Sequence, residues 1–240
     1  MDIVITVAGP DVLPSEYDLY PKPLIEIAGE PLIKVALRPF LDIPDIRLIF
    51  VVSDTLLEHF SFDEVLRQSF IHADVVVLRT SGETSGSLCT ALLGVDELSD
   101  NEVLIFNYDQ WLNEDVAELF RCFRGSAADF GALVFPSTHP RWSYARLDEN
   151  NAITETSEKR PISNYAMAGF YYFRSKQIFL DSSFALIKKS APIRDRFYIS
   201  EVFNQCIYEG LFGLAVSIPS ERYKKFSDVL DIKKFSIPTV

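Results

Sequence analysis

Short apolar runs alternate with helix-like segments through the first half of the chain, and this alternation constrains the fold most strongly. The apolar runs of strand length cover residues 2–7, 46–52, 74–78, 103–107 and 130–135. The helix-like segments between them lie near residues 32–41, 55–70, 85–98 and 113–123. Apolar strands separated by helices are typical of a parallel sheet with both faces covered and right-handed crossovers. The sequence therefore predicts an α/β fold.

The pattern changes in the second half of the chain. Residues 143–147 and 152–156 are two short strand candidates, and the turn-forming run Asp148-Glu149-Asn150-Asn151 joins them. A third strand at 166–173, helices after Ser175 and at 200–208, a strand at 213–218 and a weak terminal helix follow. Because no linker or repeat interrupts this order, we expect one mixed α/β domain over residues 1–240, with a small β-hairpin insertion.

Composition narrows the classes of partner. The chain has 240 residues, of which 48% are hydrophobic and 24% charged, as in globular proteins with a substantial core. Its net charge of −11 argues against nucleic acid or an anionic membrane as a partner, since both would be repelled. A phosphorylated ligand must therefore meet a local positive site or a metal ion.

The cysteines and the apolar runs indicate the compartment. Cys89, Cys122 and Cys206 are odd in number and widely spaced, which favours buried thiols in a reducing cytoplasm over a disulfide framework or a zinc site. No basic segment followed by an apolar run opens the chain, and no stretch approaches the roughly 20 apolar residues of a membrane span. We expect a cytoplasmic protein.

A distinctive phrase follows the first strand. Ala8-Gly9 ends that strand, a turn-rich loop continues to Tyr20, and then comes the run Pro21-Lys22-Pro23-Leu24-Ile25-Glu26-Ile27-Ala28-Gly29-Glu30-Pro31-Leu32. Prolines on both sides of Lys22 favour extended geometry for its neighbours and hold its ammonium above the end of the strand. Ligands bind at that edge of an open α/β sheet. A proline-rich surface loop with a solvated lysine explains the phrase equally well.

This phrase resembles the N-terminal signature of the sugar-phosphate nucleotidyltransferases, and the similarity recurs along nearly the whole chain. Those enzymes join a nucleoside triphosphate to a phosphorylated sugar and release pyrophosphate. The resemblance implies a Rossmann-like, glycosyltransferase-A-type fold with a mixed, mainly parallel sheet. It also implies a place in activated-sugar or cell-surface polysaccharide synthesis, including that of capsules.

Asp109 follows the apolar strand at 103–107, in the phrase Asn107-Tyr108-Asp109-Gln110. A carboxylate at the carboxyl end of a central parallel strand is well placed to hold Mg²⁺. Capping of the next helix is the alternative. The resemblance implies that Asp109 is the metal ligand and touches the nucleotide. The family has glycine where this chain has Tyr108, which implies a pocket of different shape.

A loop of small residues leads into the third helix candidate. Its sequence is Thr80-Ser81-Gly82-Glu83-Thr84-Ser85-Gly86-Ser87, and such loops let a ligand approach the backbone closely. The resemblance implies nucleotide binding by this loop and the end of the first strand, that is, by Ala8, Gly9, Glu83, Ser85 and Gly86. A plain loop with Ser85 as helix cap is the alternative.

The hairpin region supplies the predicted substrate side. The resemblance implies substrate binding by Tyr144, Glu158, Lys159, Gly169 and Glu201. Glu158 can accept hydrogen bonds from sugar hydroxyls or an ammonium, and Lys159 offers a compact charge for phosphate. The alternatives are a solvated Glu158–Lys159 pair at a strand end and a simple helix-terminal charge at Glu201. A glycine in mid-strand, as at 169, indicates close approach of a ligand.

Two features depart from the family pattern. The run from Gly9 to Tyr17 lacks the second glycine and the arginine of the triphosphate loop, and its Asp11 and Glu16 would repel phosphate. The family's second metal carboxylate, in a Trp-x-Asp phrase near the C-terminus, is not recoverable. The run Tyr223-Lys224-Lys225-Phe226-Ser227-Asp228 occupies that region, with Asp228 as a weak substitute.

The resulting hypothesis is a nucleotidyltransferase in which Lys22, Asp109 and Lys159 are catalytic. Lys22 would neutralise the triphosphate, Asp109 would hold Mg²⁺, Lys159 would bind the substrate phosphate, and Glu158 would orient the sugar or polyol. Because the triphosphate loop is altered, two alternatives stay open: an inactive nucleotide- or sugar-binding homologue, and a glycosyltransferase that uses a preformed nucleotide-sugar. The sequence leaves open the base, the phosphorylated substrate and whether the protein is a homo-oligomer.

Overall fold

The computed structural model describes residues 1–9, 20–189, 192–193 and 195–236. Most of the altered triphosphate loop lies outside these residues. The strands are β1 (Asp2–Val7), β2 (Glu26–Ile27), β3 (Glu30–Pro31), β4 (Arg47–Ser53), β5 (Asp74–Thr80), β6 (Val103–Phe106), β7 (Gln110–Leu112), β8 (Phe130–Pro136), β9 (Ser143–Leu147), β10 (Ile153–Glu158), β11 (Tyr165–Phe173), β12 (Gly213–Ser217) and β13 (Tyr223–Lys225). The α-helices are α1 (Leu32–Leu37), α2 (Asp54–Phe60), α3 (Phe62–Ser69), α4 (Ser87–Leu92), α5 (Val116–Gly125), α6 (Lys176–Lys189), α7 (Ile199–Tyr208) and α8 (Val229–Lys233).

A nine-stranded mixed sheet forms the centre of the molecule. Its main path runs β10-β9-β11-β6-β1-β4-β5, while β8 pairs with β11 and β12 pairs with β8. Seven strands run in one direction, and β10 and β11 run in the other. The predicted α/β fold with a mixed, mainly parallel sheet is thus confirmed. The prediction of a single domain stays a prediction.

Both faces of the sheet are buried, which explains why the central strands carry apolar residues on both faces. On β1, Ile3 and Ile5 belong to one hydrophobic cluster and Val4 to the other. The first cluster takes in residues of α1, α2, α3, α5 and α8, and the second takes in residues of α4, α6 and α7. The carboxyl ends of β1 and β6, which are parallel neighbours, therefore emerge together at one edge of a well-packed sheet.

The helix predicted over 55–70 is two helices, because Ser61 adopts a left-handed conformation with φ of 45° between α2 and α3. The buried residues of the pair are Leu56, Phe62 and Leu66. In one continuous helix, the six positions from Leu56 to Phe62 would turn the chain by about 240° and point the two side chains apart. The break lets both side chains reach the same core.

The sequence did not predict two short strand pairings near the sheet edge. β7 pairs with β13 in antiparallel register, so that Lys225 lies opposite Gln110, and β2 pairs with β3. The helix predicted from residue 113 begins at Val116, where the Asp115 side chain accepts a hydrogen bond from the Glu118 amide at 3.0 Å. Three-residue strands carry too little periodicity to be recognised, yet the β7–β13 pair positions part of the site.

The cysteines differ in part from expectation. All three are free thiols, but only Cys206 is buried, whereas Cys89 is partly exposed and Cys122 is exposed. The prediction of buried thiols is therefore wrong for Cys122. Across the described ranges, the structure contains no helix with the length and apolar character needed to cross a membrane.

Candidate functional site

A cavity of about 430 Å³ opens at the carboxyl ends of β1 and β6. Its wall is built from the end of β1, the loop before α4, the residues after β6, the β9–β10 hairpin and the start of α7. Most of the predicted site residues line it: Ala8, Gly9, Glu83, Gly86, Asp109, Glu158, Lys159 and Gly169. Residues far apart in sequence therefore converge on one space, as the topology requires of an open α/β sheet.

The other four predicted site residues do not line the cavity directly. Lys22 lies behind Asp109 and bonds to it. Ser85 is exposed, and its carbonyl accepts a hydrogen bond from the Phe197 amide at 2.7 Å. Tyr144 is fully buried in the hydrophobic core, and its hydroxyl donates to the His139 carbonyl at 2.7 Å. Glu201 lies half-buried in the first turn of α7.

Two lysines and one aspartate form a charged group that we call the lysine cluster: Lys22, Asp109 and Lys225. The Lys22 ammonium donates to Asp109 Oδ2 at 3.1 Å, and both residues are buried, with 4% and 8% of their surface exposed. The Lys225 ammonium lies 3.8 Å from the same oxygen, and its side chain is one-third exposed. A buried ammonium requires such a partner, because desolvating an unpaired charge is very unfavourable.

The lysine cluster is held by local backbone structure. Lys22 begins a 3-10 turn over Lys22–Leu24, in which the Ile25 amide donates to the Lys22 carbonyl at 3.2 Å. Only Pro21 keeps the extended geometry predicted for both neighbours of Lys22. The Asp109 carbonyl accepts a hydrogen bond from the Phe226 amide at 2.8 Å, which ties the end of β13 to the aspartate.

Helix capping does not explain Asp109. The next helix is α5, and its cap is Asp115, six residues further along the chain. Asp109 instead precedes β7 and directs its carboxylate toward the two ammonium groups. Its burial therefore serves an ion pair at the edge of the cavity.

The opposite side of the site is a group that we call the hairpin wall: Ser143, Glu158, Lys159, Tyr198 and Ser200. Glu158 Oε2 accepts hydrogen bonds from the hydroxyl of Ser143, at short range, and from that of Ser200 at 2.9 Å. Lys159 Nζ lies 3.3 Å from the Tyr198 hydroxyl and 5.0 Å from the ring centroid. Carboxylate, hydroxyls and ammonium thus form a connected polar surface along the cavity.

The side chain of Asn204 joins helix α7 to the hairpin through the kind of hydrogen bonds that a neighbouring strand would make. The Asn204 amide accepts from the Thr156 amide at 2.8 Å and donates to the Thr156 carbonyl at 2.9 Å. Thr156 also donates its hydroxyl to the Ser200 carbonyl at 2.6 Å. Since β10 is an edge strand, Asn204 satisfies the backbone groups that the strand would otherwise leave open.

The small-residue loop packs against the segment that leads into α7. A Cβ atom on Gly86, whose φ is 105°, would lie 2.4 Å from the Phe197 carbonyl oxygen, so no other residue fits there. Arg196 lies 3.8 Å from Glu83. Helix α4 begins at Ser87 with Gly86 as its N-cap, so Ser85 is not the cap.

Gly169 is required by neighbouring side chains. A Cβ atom at this position would lie 2.5 Å from Asn107 Nδ2 and 2.6 Å from Gln110 Oε1. Gln110 donates to the Gly169 carbonyl at 2.8 Å and accepts from the Gly169 amide at 3.1 Å. The predicted close approach therefore exists, but protein side chains make it. Gly169 still lines the cavity beside them.

Burial raises the pKa of several acids around the cavity. The pKa of Glu201 lies above its ordinary value of 4.5, first because of burial and second because of the negative charge of Glu158. Burial also raises the pKa of the Tyr171, Tyr223 and Tyr144 hydroxyls. These tyrosines therefore stay neutral and act as hydrogen-bonding groups.

The sequence prediction missed several charged residues of the cavity. Arg141, Arg196 and Lys225 line it, together with the predicted Lys159. The described lining carboxylates are those of Glu83, Asp109 and Glu158. Four cations thus face three carboxylates among the described lining residues. This local positive excess suits an anionic ligand despite the net charge of −11.

The residues around Asp109 do not fit a divalent metal ion. Its carboxylate already faces two ammonium groups, which would repel such an ion. Asp228, the weak substitute for a second carboxylate, caps α8 by accepting from the Asp231 amide at 2.8 Å. Within the described part of the chain, no three His, Cys, Asp or Glu side chains lie together as metal ligands.

Comparison with protein families identifies one match. The model of a family described as nucleotidyl transferase matches residues 18–210. A curated relative, UTP–glucose-1-phosphate uridylyltransferase AglF of Haloferax volcanii, is 25% identical over 161 residues. That match covers 64% of this chain and 63% of the relative. The chain thus spans less than two thirds of the relative's length.

Solved structures share the fold along nearly the whole chain. A nucleoside-diphosphate-sugar pyrophosphorylase from Vibrio cholerae aligns with a TM-score of 0.83 at 19% identity, covering 97% of this chain and 98% of that one. The inositol-1-phosphate CTP transferase from T. maritima aligns with a TM-score of 0.76 at 15% identity, covering 99% and 98%. At these identities the likeness concerns the fold.

Proposed function

We propose that this chain, which belongs to the nucleotidyl transferase family, joins a nucleoside triphosphate to a phosphorylated sugar or polyol and releases pyrophosphate. One observation carries the proposal: Asp109 of the lysine cluster and the Glu158–Lys159 pair of the hairpin wall line a single cavity. Charged groups suited to phosphates thus share one space with hydrogen-bonding groups suited to hydroxyls. The names of the relatives support activated-sugar synthesis as the setting. We further propose cell-surface polysaccharides as the destination of the product.

The proposed reaction is an in-line displacement at the α-phosphorus. An oxygen of the substrate's phosphate monoester attacks this phosphorus and forms the new P–O bond. The bond from the α-phosphorus to the bridging oxygen breaks, and pyrophosphate leaves with the electron pair. A phosphate monoester is already anionic at neutral pH, so the reaction requires no side-chain base.

The chain's residues then have distinct roles. Lys22, held by Asp109, contributes positive charge beside the triphosphate as pyrophosphate departs. Lys159 binds the substrate phosphate, and Glu158 orients the sugar or polyol by accepting hydrogen bonds. Ala8, Gly9 and Gly86 offer backbone to the nucleotide without a large side chain in the way.

Mg²⁺ at Asp109 stays a prediction. Nucleotidyltransferases of this family generally use a divalent metal such as Mg²⁺, which neutralises phosphate charge when bound. The two ammonium groups against Asp109 make this carboxylate a poor ligand, so the steps above rely on side chains of the chain itself.

A nucleotide-binding protein without transferase activity is the second candidate. The observation that favours it is the same pairing of Asp109 with two lysines. Such a protein would bind nucleoside triphosphate in the cavity and release no pyrophosphate. The residues that line the cavity serve either function, so activity itself must separate the two.

A pyrophosphate-release assay tests the proposal. The purified protein is incubated with each of the four common nucleoside triphosphates and a panel of sugar, polyol and amino-alcohol phosphates, with and without Mg²⁺. Release with one nucleotide and one phosphate, lost in Lys159→Met, would support the transferase and name its substrates. Binding of a nucleotide by calorimetry without release across the panel would favour the second candidate.

A further inference from the structure

Arg141 lines the cavity beside the hairpin wall, and the roles proposed above make no use of it. Its guanidinium carbon lies over the Trp142 ring, 4.4 Å from the ring centroid. Within the part of the chain that the structure describes, the Arg141 side chain forms no hydrogen bond or ion pair. An arginine stacked on an aromatic face keeps the N–H donors at the edge of its guanidinium plane available to a ligand.

The Trp142 ring gives this stack a fixed support. Trp142 is only 7% exposed, and its ring packs edge-to-face against Phe135, with the centroids 5.1 Å apart. The Tyr223 ring lies 6.0 Å away on the same basis. The backbone is held as well, because the Arg141 amide donates to His139 Nδ1 at 3.3 Å. The guanidinium is therefore positioned before a ligand arrives, which lowers the entropy lost on binding.

Lys159 reaches the cavity through an unusual backbone conformation. Its amide donates to the Trp142 carbonyl at 3.0 Å, which extends the β9–β10 pairing by one residue. Successive side chains on a regular strand point to opposite faces, yet Glu158 and Lys159 both line the cavity. The left-handed backbone at Lys159, with φ of 53°, breaks this alternation. Such a conformation is unfavourable for lysine, and strain of this kind is typical of a functional position.

Arg141 and Lys159 differ from the other two cations of the described lining. Lys225 and Arg196 each lie 3.8 Å from a carboxylate. Arg141 and Lys159 instead lie against aromatic rings, with no carboxylate at ion-pair distance among the described residues. Glu158, the carboxylate of the hairpin wall, accepts hydrogen bonds from two serine hydroxyls. An incoming anion can therefore meet these two cations without displacing a described carboxylate.

A phosphate monoester fits two cations better than one. Its second pKa is about 6, so it carries close to two negative charges at neutral pH. Lys159 supplies a compact positive charge, which balances one of them. The planar guanidinium of Arg141 supplies the second charge and can bind two phosphate oxygens at once.

On the basis of the proposed function, we propose that Arg141 binds the phosphate of the phosphorylated substrate together with Lys159. The guanidinium of Arg141 donates paired hydrogen bonds to the phosphate oxygens, and Trp142 positions the guanidinium. The two cations form a subsite for a dianionic phosphate monoester. A sugar or polyol without the phosphate does not bind there.

Binding of inorganic phosphate to the intact protein tests this inference. The melting temperature is measured over a range of sodium phosphate concentrations at about pH 8, where phosphate is a dianion, with sodium chloride at equal ionic strength as the reference. A ligand that binds the folded state raises the melting temperature, so the concentration dependence gives an apparent dissociation constant. We expect this constant to rise by about tenfold or more in Arg141→Met. Arg141→Lys keeps the charge without the planar fork and should recover only part of the affinity.

Arg146→Met is the matched control. Arg146 lies on β9 in the same hairpin, pairs with Glu155, and is absent from the described lining of the cavity. This variant removes the same charge and should bind phosphate as the wild type does. Lys159→Met should weaken phosphate binding about as much as Arg141→Met. Melting in chloride alone shows whether each variant folds.

The inference is overturned if phosphate does not stabilise the wild type, if Arg141→Met binds phosphate as tightly as the wild type, or if Arg146→Met weakens binding equally. Steady-state kinetics separates the two sources of phosphate, the phosphorylated substrate and the nucleotide. In Arg141→Met, a higher KM for the phosphorylated substrate with an unchanged KM for the nucleotide supports the inference. The reverse result would assign Arg141 to the triphosphate and overturn it.

The proposed function is tested separately with the same proteins. Phosphate binding that depends on Arg141, in a protein that releases no pyrophosphate, would retain the phosphate subsite and reject the transferase. Pyrophosphate release by the wild type, with unchanged phosphate binding in Arg141→Met, would retain the transferase and reject the subsite. No phosphate binding and no release would reject both.

Discussion

The lysine cluster and the hairpin wall line one cavity but are stabilised by different physical means. The cluster depends on ionic attraction between Lys22 and Asp109, whose side chains are both buried. In the hairpin wall, hydroxyl groups surround Glu158, and Lys159 rests against Tyr198 near the surface. Removing one partner from the lysine cluster should therefore greatly reduce the free energy of unfolding. Removing one partner from the hairpin wall breaks single hydrogen bonds, which water can replace.

This difference separates stability from recognition within one site. Removal of a charge from the lysine cluster should disturb folding and ligand binding together. Removal of a hydrogen-bonding group from the hairpin wall should alter substrate affinity with little effect on folding. Substitutions in each region test this separation.

Asp109→Ala should have the largest effect. It removes the Asp109 carboxylate that pairs with the buried Lys22 ammonium, and breaking a buried ion pair in this way destabilises by about 3–5 kcal/mol. Pyrophosphate release should be lost at the same time. Urea unfolding monitored by circular dichroism measures the loss of stability, and the release assay measures the loss of activity.

A double substitution tests whether the ion pair is the cause of this loss of stability. Lys22→Met combined with Asp109→Leu replaces the ion pair by apolar side chains and should recover most of the lost stability, since apolar replacements of buried pairs are often neutral. The double variant should still release no pyrophosphate. If Asp109→Ala unfolds at the same urea concentration as the wild type, the ion pair does not stabilise the fold, and the contrast between the two regions fails.

Gly169→Ala should have the next largest effect, because this residue lies between the two regions. The added Cβ would meet Asn107 and Gln110 at 2.5–2.6 Å, and overpacking of this kind destabilises by about 1–3 kcal/mol. It would also disturb the Gln110 hydrogen bonds that hold β11 beside the cavity. Urea unfolding again measures the effect.

Gly125→Ala is the matched control for this glycine. It ends α5, and a Cβ there would meet no atom within 4 Å. Since alanine favours a helix over glycine, this variant should be neutral or more stable by up to about 1 kcal/mol. Equal destabilisation of the two glycine variants would show that the contacts of Gly169 are not the cause.

The sequence predicts the sheet well because a buried strand can be recognised from its own run of residues. β1 and β9 occupy the predicted residues, since continuous or alternating apolar runs bounded by turn residues identify them. The pairing of β7 with β13 cannot be recognised in this way, because each strand has three residues and each depends on a partner about 110 positions away. Such long-range register has no local signal.

The same limit explains what was missed in the site. Lys22 and Asp109 could be singled out because each sits in a distinctive local phrase, between two prolines for Lys22 and shortly after an apolar strand for Asp109. Lys225 was quoted only as part of a run, because its role depends on the β7–β13 register. Gly169 was recognised as a place of close approach, but the sequence cannot say whether a ligand or Gln110 approaches it.

Glu158→Gln should affect recognition without a comparable effect on folding. Glutamine keeps an acceptor for Ser143 and Ser200 but loses the negative charge, and a charged hydrogen bond contributes about 1.5–3 kcal/mol. We therefore expect the KM for the phosphorylated substrate to rise by about tenfold or more, with the KM for the nucleotide unchanged. Steady-state kinetics with each substrate varied in turn provides the measurement.

Glu155→Gln is the control on the same strand. Glu155 pairs with Arg146 and does not belong to the described cavity lining, so this variant should have the kinetics of the wild type. An equal rise of both KM values in Glu158→Gln would contradict the assignment of the hairpin wall to the phosphorylated substrate.

Glu201→Gln should have the smallest effect, and its sign depends on pH. Burial, and then the charge of Glu158, raises the pKa of Glu201 above 4.5 in the folded protein. Between the ordinary and the raised pKa the folded state holds the proton more tightly, so wild-type stability falls as pH rises through this window. Glutamine does not titrate. The variant should therefore be more stable than the wild type at neutral pH, by under about 1 kcal/mol because the carboxyl is only half-buried.

This difference should be much smaller near pH 4, where the carboxyl is mostly protonated in both the folded and the unfolded chain. Urea unfolding at the two pH values measures it, with Glu209→Gln at the exposed end of α7 as the control. A variant less stable than the wild type at neutral pH would mean that Glu201 stabilises the fold as a carboxylate. A stabilising charge like that of the lysine cluster would then lie next to Ser200 of the hairpin wall, and the contrast between the two regions would be one of degree.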